Sequence, residues 1–325
     1  MPVLPKNSIW QAAGNRPVAS SVFTLLELLA AMAVLGLLLM LLAQLFSSVN
    51  QNWVRGGADV SRRSNARAFA DFIGLELQEA MLPIETSTTK PAGTALVGNL
   101  HFVVNPPAGQ LPVDYRNADA IFWQAPVATE TSYGDIAQLG YFVTWVDHVP
   151  SLCRLFINPS IKNADTVEAN PDFKVYDSDP TKWLSQEMVE AYIAPADANN
   201  GYPGLFAEYV LGFWVECFDR EGNRSPRDFD SITRTPVGND PTTNQITHQL
   251  PASVRISIAQ SDPAMAYFIA QAENEIRAVT GSADVRNAAD FLKEMQALAQ
   301  TSPAIAKVFS SIRIHTVTVK PINAR

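Results

Sequence analysis

Charge is scarce in this chain. Only 17% of its 325 residues are Asp, Glu, Lys or Arg, and they sum to −8. No basic cluster with interleaved aromatics offsets that balance, which argues against a nucleic-acid partner. The catalytic signatures that a sequence shows on its face are missing as well. There is no Gly-x-Ser-x-Gly, no phosphate-binding glycine loop, no His-Glu-x-x-His and no cysteine–histidine metal spacing. The four histidines, His101, His148, His248 and His315, are scattered, and none is expected to be catalytic. Repeats of 20–50 residues and low-complexity tracts are absent too. The expectation is a protein that is not an enzyme and holds no cofactor or metal.

What the chain does have is one long apolar run, Phe23 to Phe46, with a single formal charge, Glu27, and one other strongly polar side chain, Gln44. As a helix it reaches about 36 Å, enough to cross a hydrocarbon core of about 30 Å. A lone carboxylate near the bilayer centre costs about 2.5–3.5 kcal/mol on insertion scales, so Glu27 reads as a functional group with a partner. The alternative is an edge residue that reaches headgroup water. Residues 1–22 carry Lys6 and Arg16 and no acid, and read as a basic leader. Arg55, Arg62 and Arg63 follow the span, so the positive-inside count does not set its orientation.

The residues Phe23-Thr24-Leu25-Leu26-Glu27-Leu28-Leu29-Ala30-Ala31-Met32 resemble the N-terminal segment of type IV prepilins and type II secretion pseudopilins. The resemblance implies that a prepilin peptidase cuts between Val22 and Phe23 and N-methylates Phe23. It implies further that Glu27 neutralises the new amino terminus of a neighbouring subunit. One position departs, since Val22 stands where the family has glycine. Also implied are a single-pass inner-membrane location, with the bulk of the chain periplasmic or extracellular. The partners would be other pilin or pseudopilin subunits, the prepilin peptidase and the membrane. Later in the chain, Leu250-Pro251-Ala252-Ser253-Val254-Arg255-Ile256-Ser257-Ile258 is similar to a late strand of J-type pseudopilins and PilW-like minor pilins. Leu211 to Asp219 resembles the strand before it, and the layout around Leu152–Phe156 resembles the Verru-Chthon cassette prepilin-like proteins.

Residues 47–82 read as an amphipathic continuation of the helix, with Phe69, Ile73, Leu77 and Ala80 on one face and Pro83 as its stop. Unbroken from Phe23, it would be roughly 90 Å long. Glu76 and Glu79 read as a solvated face. From residue 83 to 325, turn signals and alternating runs predict a β-rich domain, so the fold class is α+β with an antiparallel sheet. Strands are predicted at Leu100–Val104, Ala120–Gln124, Gln138–Val146, Leu152–Ile157, Glu208–Asp219, Ser253–Ala259 and Ile312–Val319. A short helix is predicted near Trp183–Ile193, and a helical pair at Pro263–Thr280 and Ala283–Gln300 is inserted before the last strand. Asp172, Asp177 and Asp179 lack calcium-loop spacing and read as a solvated loop.

Cys153 and Cys217, the only cysteines, both point toward a core by strand alternation. Outside the cytoplasm they could form a disulfide worth about 4 kcal/mol; two buried thiols are the alternative. Two functions stay open. One is a minor pilin or pseudopilin-like subunit, and the other a signal-anchored extracytoplasmic binding domain or enzyme with no filament role. A third and weaker option is an enzyme whose site is assembled from the Asp172–Asp179 loop.

Overall fold

A computed structural model describes residues 67–82, 87–91, 100–107, 111, 115–162, 166–173, 184–193, 204–237 and 240–324, with the isolated positions 29, 32, 35, 36 and 40. The chain divides into two units, Met1–Asp59 and Val60–Arg325. In the first, the five described positions are helical, and Leu29, Met32, Leu35 and Met40 are more than half exposed. Most of the predicted span lies outside the described residues. Among those described, no helix is long and apolar enough to cross a membrane.

Among the described residues of the second unit, the first element is helix α1, described over residues 67–78. Ala70, Ile73, Leu77 and, just past its end, Ala80 recur at intervals of three and four, so they share one face. All four are buried, and Phe69 packs beside them. After α1 come β1 (Ser87–Pro91), β2 (Val103–Val104), β3 (Ile121–Ala125), β4 (Ala137–Val146), β5 (Val149–Ile157), β6 (Ser160–Lys162) and β7 (Val167–Ala169). Then follow α2 (Gln186–Ile193), β8 (Leu205–Glu208), β9 (Val210–Phe218), β10 (Ile232–Val237), β11 (Asp240–His248) and β12 (Ser253–Gln260). Helices α3 (Ala266–Gln271), α4 (Glu273–Thr280), α5 (Ala288–Leu298) and α6 (Pro303–Ser311) precede the last strand, β13 (Arg313–Val319).

Every described strand pairing is antiparallel. A five-stranded sheet runs β2-β3-β4-β5-β8, a three-stranded sheet runs β13-β12-β9, and another runs β1-β11-β10. Because side chains alternate along a strand, the first two sheets each feed two cores. The central core joins α1 to Trp123, Tyr141 and Leu152 of the larger sheet and to Phe213, Val215 and Ile256 of the smaller one. On the far face of the larger sheet, Phe122, Phe142 and Leu155 meet Met188 and Val189 of α2. On the far face of the smaller sheet, Leu211, Trp214 and Ala259 meet Ile269, Ile276, Phe291, Ile305 and Val308 of the four helices. A Cβ on Gly212 would sit 2.3 Å from the Trp214 ring, so only glycine lets that indole lie flat along its own strand.

Several predicted elements shift or divide. The strand expected over Glu208–Asp219 breaks at Tyr209, whose φ of 59° is left-handed. That residue carries the chain from β8, paired to β5, into β9, paired to β12. The hairpin β10–β11, strand β1 and the ribbon β6–β7 were not predicted. The expected helical pair is four helices. Its first member divides at Ala272, and α6 stands on a Ser302 cap whose Oγ accepts from Ile305 N at 3.4 Å. The second member begins at Asn287, whose Oδ1 accepts from Ala289 N and Asp290 N, both at 2.9 Å.

Candidate functional site

The most specific polar construction in the second unit is where α1 meets the larger sheet. Tyr141 and Arg154 face each other directly across β4 and β5. By alternation they share the face of Leu139, Val143 and Leu152, which looks toward α1. Glu76 lies three residues after Ile73 and so turns to the same side. Tyr141 Oη donates to Glu76 Oε2 at 2.5 Å, Arg154 Nε donates to that oxygen at 3.2 Å, and Arg154 Nη2 donates to Oε1. Trp123 Nε1 donates to the Glu76 carbonyl at 3.3 Å, so backbone and side chain of one residue are both held. The guanidinium also lies 4.2 Å from the centre of the Phe156 ring and 5.6 Å from that of Phe72.

Electrostatics follow from that burial. The Tyr141 phenol is driven far above its ordinary range, first by burial and then by the charge and hydrogen bond of Glu76. Burial works against the charge on Arg154, but the hydrogen bonds to Glu76 and the nearby Tyr141 outweigh it, and the guanidinium is held still more firmly protonated. Three donors converge on one carboxylate. The arrangement suits holding a helix in register more than moving a proton.

Sequence reasoning placed Glu76 on a solvated face with Glu79, and that is corrected here. Glu76 is buried, and only 10% of its side chain meets solvent. The residues that hold it are 65 and 78 positions away, so the helix pattern alone could not reveal them. The C-terminal tail was missed as well. Ile322 N donates to the Gln78 carbonyl and Asn323 Nδ2 to that of Ala80, both at 2.9 Å, satisfying carbonyls that the helix end leaves open.

The solvent-facing side of α1 is partly apolar. Phe72 and Leu75 are 43% and 64% exposed, beside an exposed Arg67–Asp71 ion pair at 3.6 Å. Phe72 is braced from behind by Phe206, with ring centres 5.6 Å apart. The surface offered sets two apolar side chains beside one ion pair.

The remaining predicted positions are not brought together. Val22, Phe23 and Glu27 lie outside the described residues, as do Asp177 and Asp179, while Asp172 is exposed. Cys153 and Cys217 are free thiols. Both point inward as alternation predicted, but into different cores. Cys153 lies under α2 with Leu155 and Ile157, and Cys217 lies in the central core with Phe213 and Val215. The disulfide alternative is thus not formed. Burial pushes the Cys153 thiol up to about 12, and it raises Cys217 as well, with help from Asp119. Neither is a nucleophile at neutral pH. His101 Nε2 lies 2.5 Å from Asp230 Oδ1 and His148 Nδ1 lies 2.7 Å from Glu273 Oε2. Among the described residues, no group of His, Cys, Asp and Glu could hold a metal ion.

No family model matches the sequence, and no curated protein matches it. Among solved structures, a type IV-like pilin from Thermus thermophilus is similar to this chain at 11% identity. The match covers 81% of this chain and 98% of that one, with a TM-score of 0.33. A superposition this loose carries no argument about what this chain does.

Proposed function

We propose that the chain is a minor pilin- or pseudopilin-like subunit that assembles through its N-terminal helix into a type IV filament or a type II secretion-type pseudopilus. The observation that carries the reading is the opening Phe23–Met32 at the head of a long apolar run, with Glu27 as its one charge. On this reading prepilin peptidase cuts after Val22 and methylates Phe23. The subunit then sits once across the inner membrane with its bulk periplasmic or extracellular. The second unit supports it in one respect. α1 is locked to its sheet by one face and leaves Phe72 and Leu75 partly exposed, as suits a helix that packs beside a neighbour. Val22 in place of glycine favours the second reading, an uncleaved anchor carrying a binding domain.

The test is Glu27 itself. A carboxylate retained in an apolar span needs a compensating partner, and here the partner is the Phe23 ammonium of another subunit. Glu27→Gln keeps the shape and removes the charge. It is expected to leave membrane insertion unchanged while co-purification with partner subunits falls severalfold. Glu27→Leu should insert at least as well and assemble as poorly. If both variants assemble like the parent, Glu27 is only an edge residue and the anchored-domain reading takes over.

A further inference from the structure

Three loops of the second unit meet around a cleft of about 410 Å³, and each brings one arginine to its wall: Arg116 from between β2 and β3, Arg227 from between β9 and β10, and Arg286 from between α4 and α5. Two of the three are fixed by the protein. Arg116 donates from Nε to the Leu111 carbonyl at 3.1 Å and from Nη2 to that of Pro107 at 2.7 Å. Arg227 donates from Nε to Asp119 Oδ1 at 2.7 Å and from Nη1 to the Ser282 carbonyl at 3.0 Å. A guanidinium has five N–H groups, so each keeps three after these bonds. Arg286 is exposed, and its side chain makes no hydrogen bond or ion pair among the described residues. Only its backbone N–H is engaged, by Asp290 Oδ2 at 3.1 Å.

The lining itself carries more cations than carboxylates. Asp119 is 1% exposed and also accepts from Asn105 Nδ2 at 3.0 Å and Val215 N at 2.9 Å. Of the residues that line the cleft three are arginines and one, Asp228, is a carboxylate, with Asp119 and Asp290 standing behind Arg227 and Arg286. The rest of the wall joins Asn105 to apolar residues, among them Leu111, Ala118 and Ala120, all three buried. Cavities of roughly 300–1,000 Å³ with few polar groups on an apolar wall are of small-ligand size. This one exceeds what a bare anion fills.

We propose that this cleft binds a small organic anion, a carboxylate or phosphate ester with an apolar body. Arg116 and Arg227 present pre-set forks to the charged end, Arg286 closes on it from the rim, and the alanine and leucine wall takes the body. Guanidinium forks match planar carboxylate and phosphate oxygens two at a time, and positions fixed beforehand lose little freedom on binding. The proposal stands on the cleft alone and does not rest on the filament reading.

The experiment is titration calorimetry on the full chain in neutral detergent, with phenyl phosphate, benzoate and inorganic phosphate as probes. Phenyl phosphate is expected to bind saturably, in the range of about 10 μM to 1 mM, and more weakly as salt is added. Inorganic phosphate should bind more weakly than its phenyl ester. Arg286→Ala disturbs no side-chain bond in the fold, so it should unfold at the parent temperature and yet bind roughly tenfold or more weakly. Arg116→Gln should weaken binding likewise, and Asp228→Asn should strengthen it. The proposal is overturned if no probe binds up to about 10 mM, or if Arg286→Ala and Arg116→Gln bind like the parent. Inorganic phosphate binding as tightly as its phenyl ester would overturn the organic body.

Discussion

Arg154→Met is expected to lower stability by about 3–5 kcal/mol, because it leaves Glu76 and Tyr141 buried without the cation that satisfies them. The lower end applies, since 22% of the Arg154 side chain still meets solvent. For a domain of this size, about 3 kcal/mol is a fall in Tm of roughly 6–12 °C. Glu76→Leu should cost a similar amount, leaving a guanidinium stacked on Phe156 and Phe72 with no carboxylate. The double replacement by Leu and Met should recover much of the loss, because an apolar pair of like volume tolerates burial better than half an ion pair does. Urea unfolding of the four proteins measures the coupling. Additive losses would mean that the two residues act separately and that α1 is not held through them.

A fragment beginning at Ala58 is expected to fold, whereas one beginning at Ile84 is not. The second fragment lacks α1, and with it Ile73 and Leu77, each worth about 1.5–3 kcal/mol of burial, together with the partner of Arg154. It also uncovers Trp123, Tyr141 and Phe213, all fully buried in the intact unit. The sum is comparable to the 5–15 kcal/mol that holds a typical domain together. Near-ultraviolet circular dichroism and the urea midpoint decide the matter. Equal midpoints for the two fragments would mean that the sheets form their own core and the helix only lies on it.

How much of this was written in the sequence depends on the range of the interaction involved. Strands β3, β4, β5, β9 and β12 were legible because short apolar runs bounded by turn signals are a local pattern, though most are buried on both faces, and α1's apolar face was legible from its three- and four-residue spacing. The hairpin β10–β11 was not. Its strands, ITRTPV and DPTTNQITH, are polar and each contains a proline, so only backbone pairing between neighbours reveals them. The break at Tyr209 was hidden because alternation runs straight through it, while the turn lies in a single φ angle. Helix α6 carried a signal that was passed over, a Ser302-Pro303 start with the cap and first-turn proline in place. The arginine cleft gathers residues from 116 to 286, and no local window contains two of its three cations. For the cysteines, alternation correctly turned both inward but could not say that inward meant opposite sides of different sheets.

If this chain is a processed filament subunit, as proposed, the mass of its amino terminus shows it. N-terminal mass spectrometry of the protein extracted from membranes is predicted to find Phe23 as the first residue, carrying one added methyl group. Val22→Gly should leave that terminus in place and raise the cut fraction. An intact leader, with Lys6 and Arg16 still attached in both the parent and the Val22→Gly variant, would mean that the chain is an uncleaved anchor.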